Sequence, residues 1–155
     1  THAFDSDNIQ GHIIVRRAKE GEKLLLLNGK DLSLSADDLV IADDAGVVAL
    51  AGVMGGAKDS ILPTTHKVIL EVANFNAAGV RRTALRYDNR TEASSRYEKG
   101  LDPMNTMLAV QRACELVELL GAGPVEFVQS FGVLTVQLPE QLPTQYTNCL
   151  KIQFA

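Results

Sequence analysis

The 155-residue chain is poor in the residues that announce most specialised chemistries. It has two cysteines, Cys114 and Cys149, far apart and outside any Cys-x-x-Cys pair or Cys/His cluster. That excludes a zinc ribbon and a redox dithiol motif. Cys114 falls on the apolar face of a helical pattern, where a small buried thiol is the ordinary occupant. The three histidines, His2, His12 and His66, are scattered without ligand spacing, so no zinc site is expected. No apolar run approaches the ~20 residues that span a bilayer. The opening Thr1-His2-Ala3-Phe4-Asp5 has neither the basic start nor the apolar stretch of a secretory leader. A cytoplasmic chain with no membrane partner is the expectation. Positive charge is not in excess either: 15 Lys and Arg stand against 19 Asp and Glu, for a net charge of −4. Any contact with nucleic acid must therefore be local or come mostly from other domains. No Gly-Lys-Ser/Thr follows a glycine loop, no GxGxxG opens a helix, and no serine sits in a nucleophile elbow.

What is present is an ordinary globular composition, 46% apolar, with clear punctuation. Ile13-Ile14-Val15 is a β-branched run. Lys23 to Leu27 and Leu32-Ser33-Leu34 flank Asn28-Gly29, a strong hairpin signal because both turn residues can take positive φ. Leu39-Val40-Ile41-Ala42 and Val47 to Val53 flank Asp43-Asp44-Ala45-Gly46, a second hairpin. Val68-Ile69-Leu70-Glu71-Val72 predicts another strand.

Two helices are predicted after these strands. One runs from Ala77 to Arg86 with Asn76 as its cap and Val80, Ala84 and Tyr87 on one face. The other is capped by Asp102, takes Pro103 as its first residue, and runs to Leu120 before Gly121. Its apolar stripe is Met107, Val110, Cys114 and Val117. Alternation returns at Val125, Phe127 and Val133 to Leu138, and Pro139 and Pro143 then interrupt it. Strands first and helices later give an α+β domain over 1–137. The segment 138–155 reads as a linker and the start of a further domain.

Five features could carry chemistry or binding. Glu71 is a carboxylate inside an apolar strand, and burying an unpaired charge is costly. It either points outward at a sheet edge or serves as the polar group of an apolar pocket. Ala51-Gly52-Val53-Met54-Gly55-Gly56 is either a tight turn with a bulge or a loop that lets a ligand approach the backbone. Arg90-Thr91-Glu92-Ala93-Ser94 is small and polar, and it leads into the charged stretch before Asp102. Ala93 beside hydroxyls could floor a pocket; a surface strand with paired charges is the plainer alternative. The run Arg81, Arg82, Arg86, Arg90, Arg96 and Lys99 is a basic patch or a solvated face of local ion pairs. His2 stands alone.

Taken in order, these segments resemble one family. His2-Ala3-Phe4-Asp5, Val15-Arg16-Arg17-Ala18, Asp38-Leu39-Val40-Ile41-Ala42-Asp43, Ala51 to Gly56, Leu70-Glu71-Val72-Ala73-Asn74-Phe75, and Arg90 to Ser94 with Arg96 to Pro103 are similar to the editing (B3/B4) domain of bacterial phenylalanyl-tRNA synthetase beta subunits. The likeness covers His2 to about Gly123. It implies a mixed B3/B4 fold and a site that hydrolyses tyrosine wrongly esterified to phenylalanine tRNA. Glu71 then matches the reader of the tyrosine hydroxyl. Ala93 matches the small residue that leaves room for the amino acid, and Thr91 a hydroxyl of the same pocket. Gly52 and Gly55 match the glycine loop. His2 matches a histidine near the ester and is the candidate catalytic residue. The resemblance implies phenylalanine tRNA and the synthetase alpha subunit as partners. It implies no cofactor for the domain itself, with ATP and Mg²⁺ used by the whole synthetase. Family members carry residues ahead of the His-Ala-Phe-Asp motif, so part of the domain is expected before Thr1. Tyr87-Asp88-Asn89 departs from the family's usual link, and as an exposed loop it is expected to matter little.

Overall fold

The computed structural model describes the backbone of residues 1–119, 127–130 and 133–137, and the side chains of residues 1–113. The strands are β1 (His2–Asp5), β2 (Ile14–Arg17), β3 (Lys23–Leu25), β4 (Asp31–Ser33), β5 (Leu39–Ala42), β6 (Val47–Leu50), β7 (Met54–Gly55) and β8 (Lys67–Glu71). Helices α1 (Ala77–Arg86), α2 (Glu92–Tyr97) and α3 (Asn105–Leu119) follow, then β9 (Phe127–Ser130) and β10 (Val133–Gln137). This is the expected α+β class. None of the described helices is long and apolar enough to cross a membrane.

The chain divides into two compact units. The first joins Thr1–Asp7, Ile61–Ala73 and the described residues from Pro103 on. Its sheet has the order β1-β8-β10-β9, antiparallel throughout. Phe4 and Ile69 face each other across β1 and β8 and are both buried. Each such side chain contributes on the order of 1.5–3 kcal/mol by leaving water. Asp5, buried at the end of β1, accepts from the Thr65 hydroxyl at 2.6 Å and the Asp7 amide at 3.0 Å.

The second unit comprises Asn8–Ser60 and Asn74–Asp102. Its sheet runs β2-β5-β6-β7, with β3 and β4 as a separate hairpin. Val40, Ile41, Ala42, Val48, Ala49 and Leu50 are buried at successive positions. Both faces of β5 and β6 are therefore covered, which is why these strands read as unbroken apolar runs. Asp43 makes their turn: its Oδ1 accepts from the Ala45 and Gly46 amides, each at 2.9 Å. Helix α1 starts at its expected cap, where Asn76 Oδ1 accepts from Gly79 N at 2.9 Å, and it buries Val80, Thr83 and Ala84.

Several expectations change. The β3–β4 turn does not place both of its residues at positive φ. Gly29 alone does so, at +83°. Asn28 instead accepts from the Lys30 amide at 3.2 Å and donates to Asn89 Oδ1 at 2.9 Å. The stretch after Arg90 holds a third helix, α2, where a surface strand was the plainer reading. Thr91 and Ser94 close a reciprocal capping box at its start. Helix α3 begins at Asn105 rather than Pro103, after a turn in which Thr106 bonds back to the Pro103 carbonyl. Met107, the first residue of its apolar stripe, is 55% exposed. Val110 of that stripe is half-buried, while the side chains of Cys114 and Val117, the Gly121 stop and the segment 138–155 lie outside the described residues.

Candidate functional site

The register of the first unit places His2 directly opposite Glu71 across β1 and β8. Residues paired in this way project from the same sheet face, with Cβ atoms roughly 4.5–5.5 Å apart. The two candidate residues furthest apart in purpose are therefore neighbours. Strand β8 lies between β1 and β10. Strand β8 is thus interior, but its ladder with β10 ends at Leu70, and Glu71 itself is paired only with His2 of β1. Glu71 is half-buried, and its carboxylate has no hydrogen-bond or ion-pair partner among the described residues. Burial pushes its carboxyl above the ordinary glutamate value. His2 is also half-buried, and its ring meets the Phe4 ring edge-on with centroids 4.6 Å apart. Burial moves its imidazole below the usual histidine value, favouring the neutral ring.

The Glu71 shift has a stability consequence with a definite sign. The folded carboxyl holds its proton more tightly than the unfolded one. The resulting stabilisation is full below the unfolded glutamate value and is lost as pH rises through the folded one. Glu71→Gln removes this titration. In urea titrations at several pH values, the variant should gain on the parent as pH rises above the ordinary glutamate range. A constant difference at all pH values would contradict it.

The other candidates belong to the second unit. Ala51 to Val53 form the tight turn between β6 and β7, with Val53 N donating to Leu50 O at 3.0 Å. Gly52 sits at φ +70°, and a Cβ there would lie 2.8 Å from Val80 Cγ2 and 3.0 Å from Phe75 Cδ2. Backbone conformation and close packing both demand glycine. Gly52→Ala should cost about 2–3 kcal/mol, combining left-handed strain with overpacking, as read from the urea midpoint; a cost below 0.5 kcal/mol would show that the turn yields freely. Gly55 is buried in β7, and its carbonyl accepts from Leu27 N at 3.0 Å.

The Thr91 hydroxyl donates to Val53 O at 2.8 Å and accepts from Ser94 N at 3.1 Å. It caps α2 and ties that helix to the glycine turn. Ala93 is exposed in the first turn of α2. The structure thus gathers His2 with Glu71 in one unit, and Gly52, Gly55, Thr91 and Ala93 around the β6–β7 turn and α2 in the other.

The basic run resolves into two classes. Arg86 pairs with Asp38 at 2.5 Å and Asp37 at 3.6 Å, Arg96 with Glu92 at 3.6 Å, and Arg90 with Glu98. Arg81, Arg82 and Lys99 have no such partner among the described residues. The Tyr87–Asn89 link is not a bare exposed loop. Tyr87 donates its hydroxyl to Asp38, and Asn89 is 5% exposed and bonded to Asn28. The buried Asp38 cluster escaped the sequence reading because its members lie far apart in the chain. Among the described residues, no three His, Cys, Asp or Glu gather where they could hold a metal ion.

Residues 1–122 match the family model described as B3/4 domain. The phenylalanine–tRNA ligase beta subunit of Cutibacterium acnes is 48% identical over 147 residues, 95% of this chain and 17% of that protein. Its counterpart in Streptomyces avermitilis is 44% identical over 150 residues, 92% of this chain and 18% of that protein. The counterpart in Psychrobacter arcticus is 41% identical over 145 residues, 92% of this chain and 18% of that protein. The chain therefore spans under a fifth of the length of these relatives.

Proposed function

Because the chain belongs to the B3/4 domain family, in the form that phenylalanine–tRNA ligase beta subunits carry, we propose that it hydrolyses tyrosine wrongly esterified to phenylalanine tRNA. The observation that carries this reading is the Glu71 carboxylate, half-buried on an interior strand with no donor among the described residues. A phenol hydroxyl supplies the missing donor. Phenylalanine has the same ring without the hydroxyl and leaves the acceptor unpaired, which disfavours its binding. The correct product is thereby spared.

The reaction is attack of water on the ester carbonyl carbon. The bond to the ribose oxygen breaks, that oxygen takes one proton of the water to become a hydroxyl, and tyrosine leaves as its carboxylate with the second proton released to solvent. His2 is the candidate general base by type, and a neutral imidazole can accept the proton of the attacking water. Backbone amides and the tRNA's own ribose hydroxyl would polarise the ester. Gly52, Gly55 and Ala93 belong to the other unit, and a part for them in the reaction is what the family resemblance alone implies. Thr91 contributes by holding α2 on the glycine turn through Val53. The partners are phenylalanine tRNA and the alpha subunit of the synthetase. ATP and Mg²⁺ would serve tRNA charging by the whole enzyme, and the editing scheme uses neither.

The test is hydrolysis by the complete synthetase that contains this chain. Tyrosine should be released from tyrosyl-tRNA(Phe), while phenylalanyl-tRNA(Phe) stays intact. A protein that binds both and releases neither would be a tRNA-binding or subunit-packing module.

A further inference from the structure

The second unit has a recess of about 60 Å³ beside the start of α1. Arg17 from β2 and Arg82 from α1 both line it, with Asn76, Gly79 and Phe75. By this measure a single water needs roughly 10–15 Å³, so the recess has room for a group the size of a phosphate.

The arginines of this unit are not equivalent. Arg16 is held by Glu22 at 2.7 Å, and Arg86, Arg90 and Arg96 are each committed to carboxylates. Arg17 bonds only the Asp37 carbonyl among described groups. Arg82 is exposed, with no ion pair or side-chain hydrogen bond among the described residues. Of the three guanidinium groups that no described carboxylate holds, Arg17, Arg81 and Arg82, two line the same recess. Asp37 also contributes to the lining, but its carboxylate faces Arg86 at 3.6 Å. Helix α1 has no acidic residue in its first turn, so the positive end of its dipole is not offset there. In a chain of net charge −4, this is a local positive site of the kind an RNA contact would need.

We infer that the Arg17–Arg82 recess holds a backbone phosphate of the RNA substrate. The inference rests on the editing reading for the identity of that RNA. Guanidinium groups suit phosphate because each presents a fork of donors to its oxygens. Contacts of this kind position an RNA strand without reading its sequence.

The experiment measures tRNA binding by the complete synthetase across a salt series. Variants are Arg17→Gln with Arg82→Gln, the matching lysine pair, and Arg90→Gln, which lies outside the recess. The double glutamine variant should weaken binding about 3- to 10-fold and lower the slope of log affinity against log salt by about 1. The lysine pair should keep the slope, and Arg90→Gln should leave it unchanged. Equal melting temperatures establish that the variants are folded. An unchanged slope in the double glutamine variant overturns the inference, as does an equal loss in Arg90→Gln. Loss of inorganic phosphate binding with tRNA affinity intact would assign the recess to free phosphate and overturn it too. Glu71→Ala, assayed for hydrolysis alongside, separates the two readings. If it changes nothing while the arginine pair still lowers the slope, editing fails and the RNA contact stands.

Discussion

Asp38→Ala should destabilise the chain by about 3 kcal/mol, at the low end of the 3–5 kcal/mol that follows when one partner of a buried ion pair is removed. The Asp38 side chain is fully buried. Its Oδ1 accepts from Thr83 Oγ1 at 2.9 Å and from Arg86 Nη1 at 2.5 Å. Its Oδ2 accepts from Ser35 N at 3.0 Å and from the Tyr87 hydroxyl. This one carboxylate thereby joins the start of β5 to the last turns of α1. Alanine leaves the guanidinium and the buried Thr83 hydroxyl without their acceptor. Arg86 keeps 34% of its side chain exposed, so water offsets part of the loss. Tyr87→Phe removes a hydroxyl that donates to Asp38 and accepts from Ser35 N at 3.0 Å, and it should cost about 1 kcal/mol because Ser35 N keeps Asp38 as an acceptor. Urea denaturation with unchanged m-values checks both. A cost below 1 kcal/mol for Asp38→Ala would mean that the cluster does not hold α1 on its sheet.

That cluster marks the boundary of what the sequence discloses. Local signals were legible. Asn76 is a cap, Asp43 makes a turn, and the apolar runs of β5 and β6 are buried strands because each signal acts within a few residues. Groups whose partners lie far along the chain were not. Asn28 looked like a turn residue needing positive φ, but its side chain bonds to Asn89, 61 positions away, and its backbone keeps negative φ. Tyr87 and Asn89 looked like an exposed loop because both are polar, although Asp38 and Asn28 draw them inward. Helix α2 was missed because Ser94 and Ser95 are weak helix formers and the cap uses Ser94 in place of the more familiar acidic residue. The opposition of His2 and Glu71 depends on strand register, which two segments that far apart do not reveal. The oddity of a carboxylate in the β8 sequence was visible at once. Its place on an interior strand required the fold.

Glu71 is also where the largest functional effect is expected. Glu71→Ala acts on both substrates. The tyrosyl ester loses its acceptor, and the phenylalanyl ester is relieved of facing an unpaired buried group. The ratio of hydrolysis rates, tyrosyl over phenylalanyl, should fall by about 100-fold, corresponding to roughly 3 kcal/mol for a hydrogen bond to a charged acceptor. Glu71→Gln retains an acceptor oxygen without the charge and should fall between the parent and alanine. His2→Ala should slow hydrolysis of the tyrosyl ester without changing which ester is preferred, since the role proposed for it is at the reacting carbonyl.

The decisive measurement is kcat/KM for hydrolysis of tyrosyl-tRNA(Phe) and phenylalanyl-tRNA(Phe) by the complete synthetase and its Glu71→Ala variant. A strong preference for the tyrosyl ester that collapses in the variant is the expected result. A parent that releases no tyrosine, or a variant whose preference is unchanged, would contradict the assignment of Glu71 as the hydroxyl reader of an editing site.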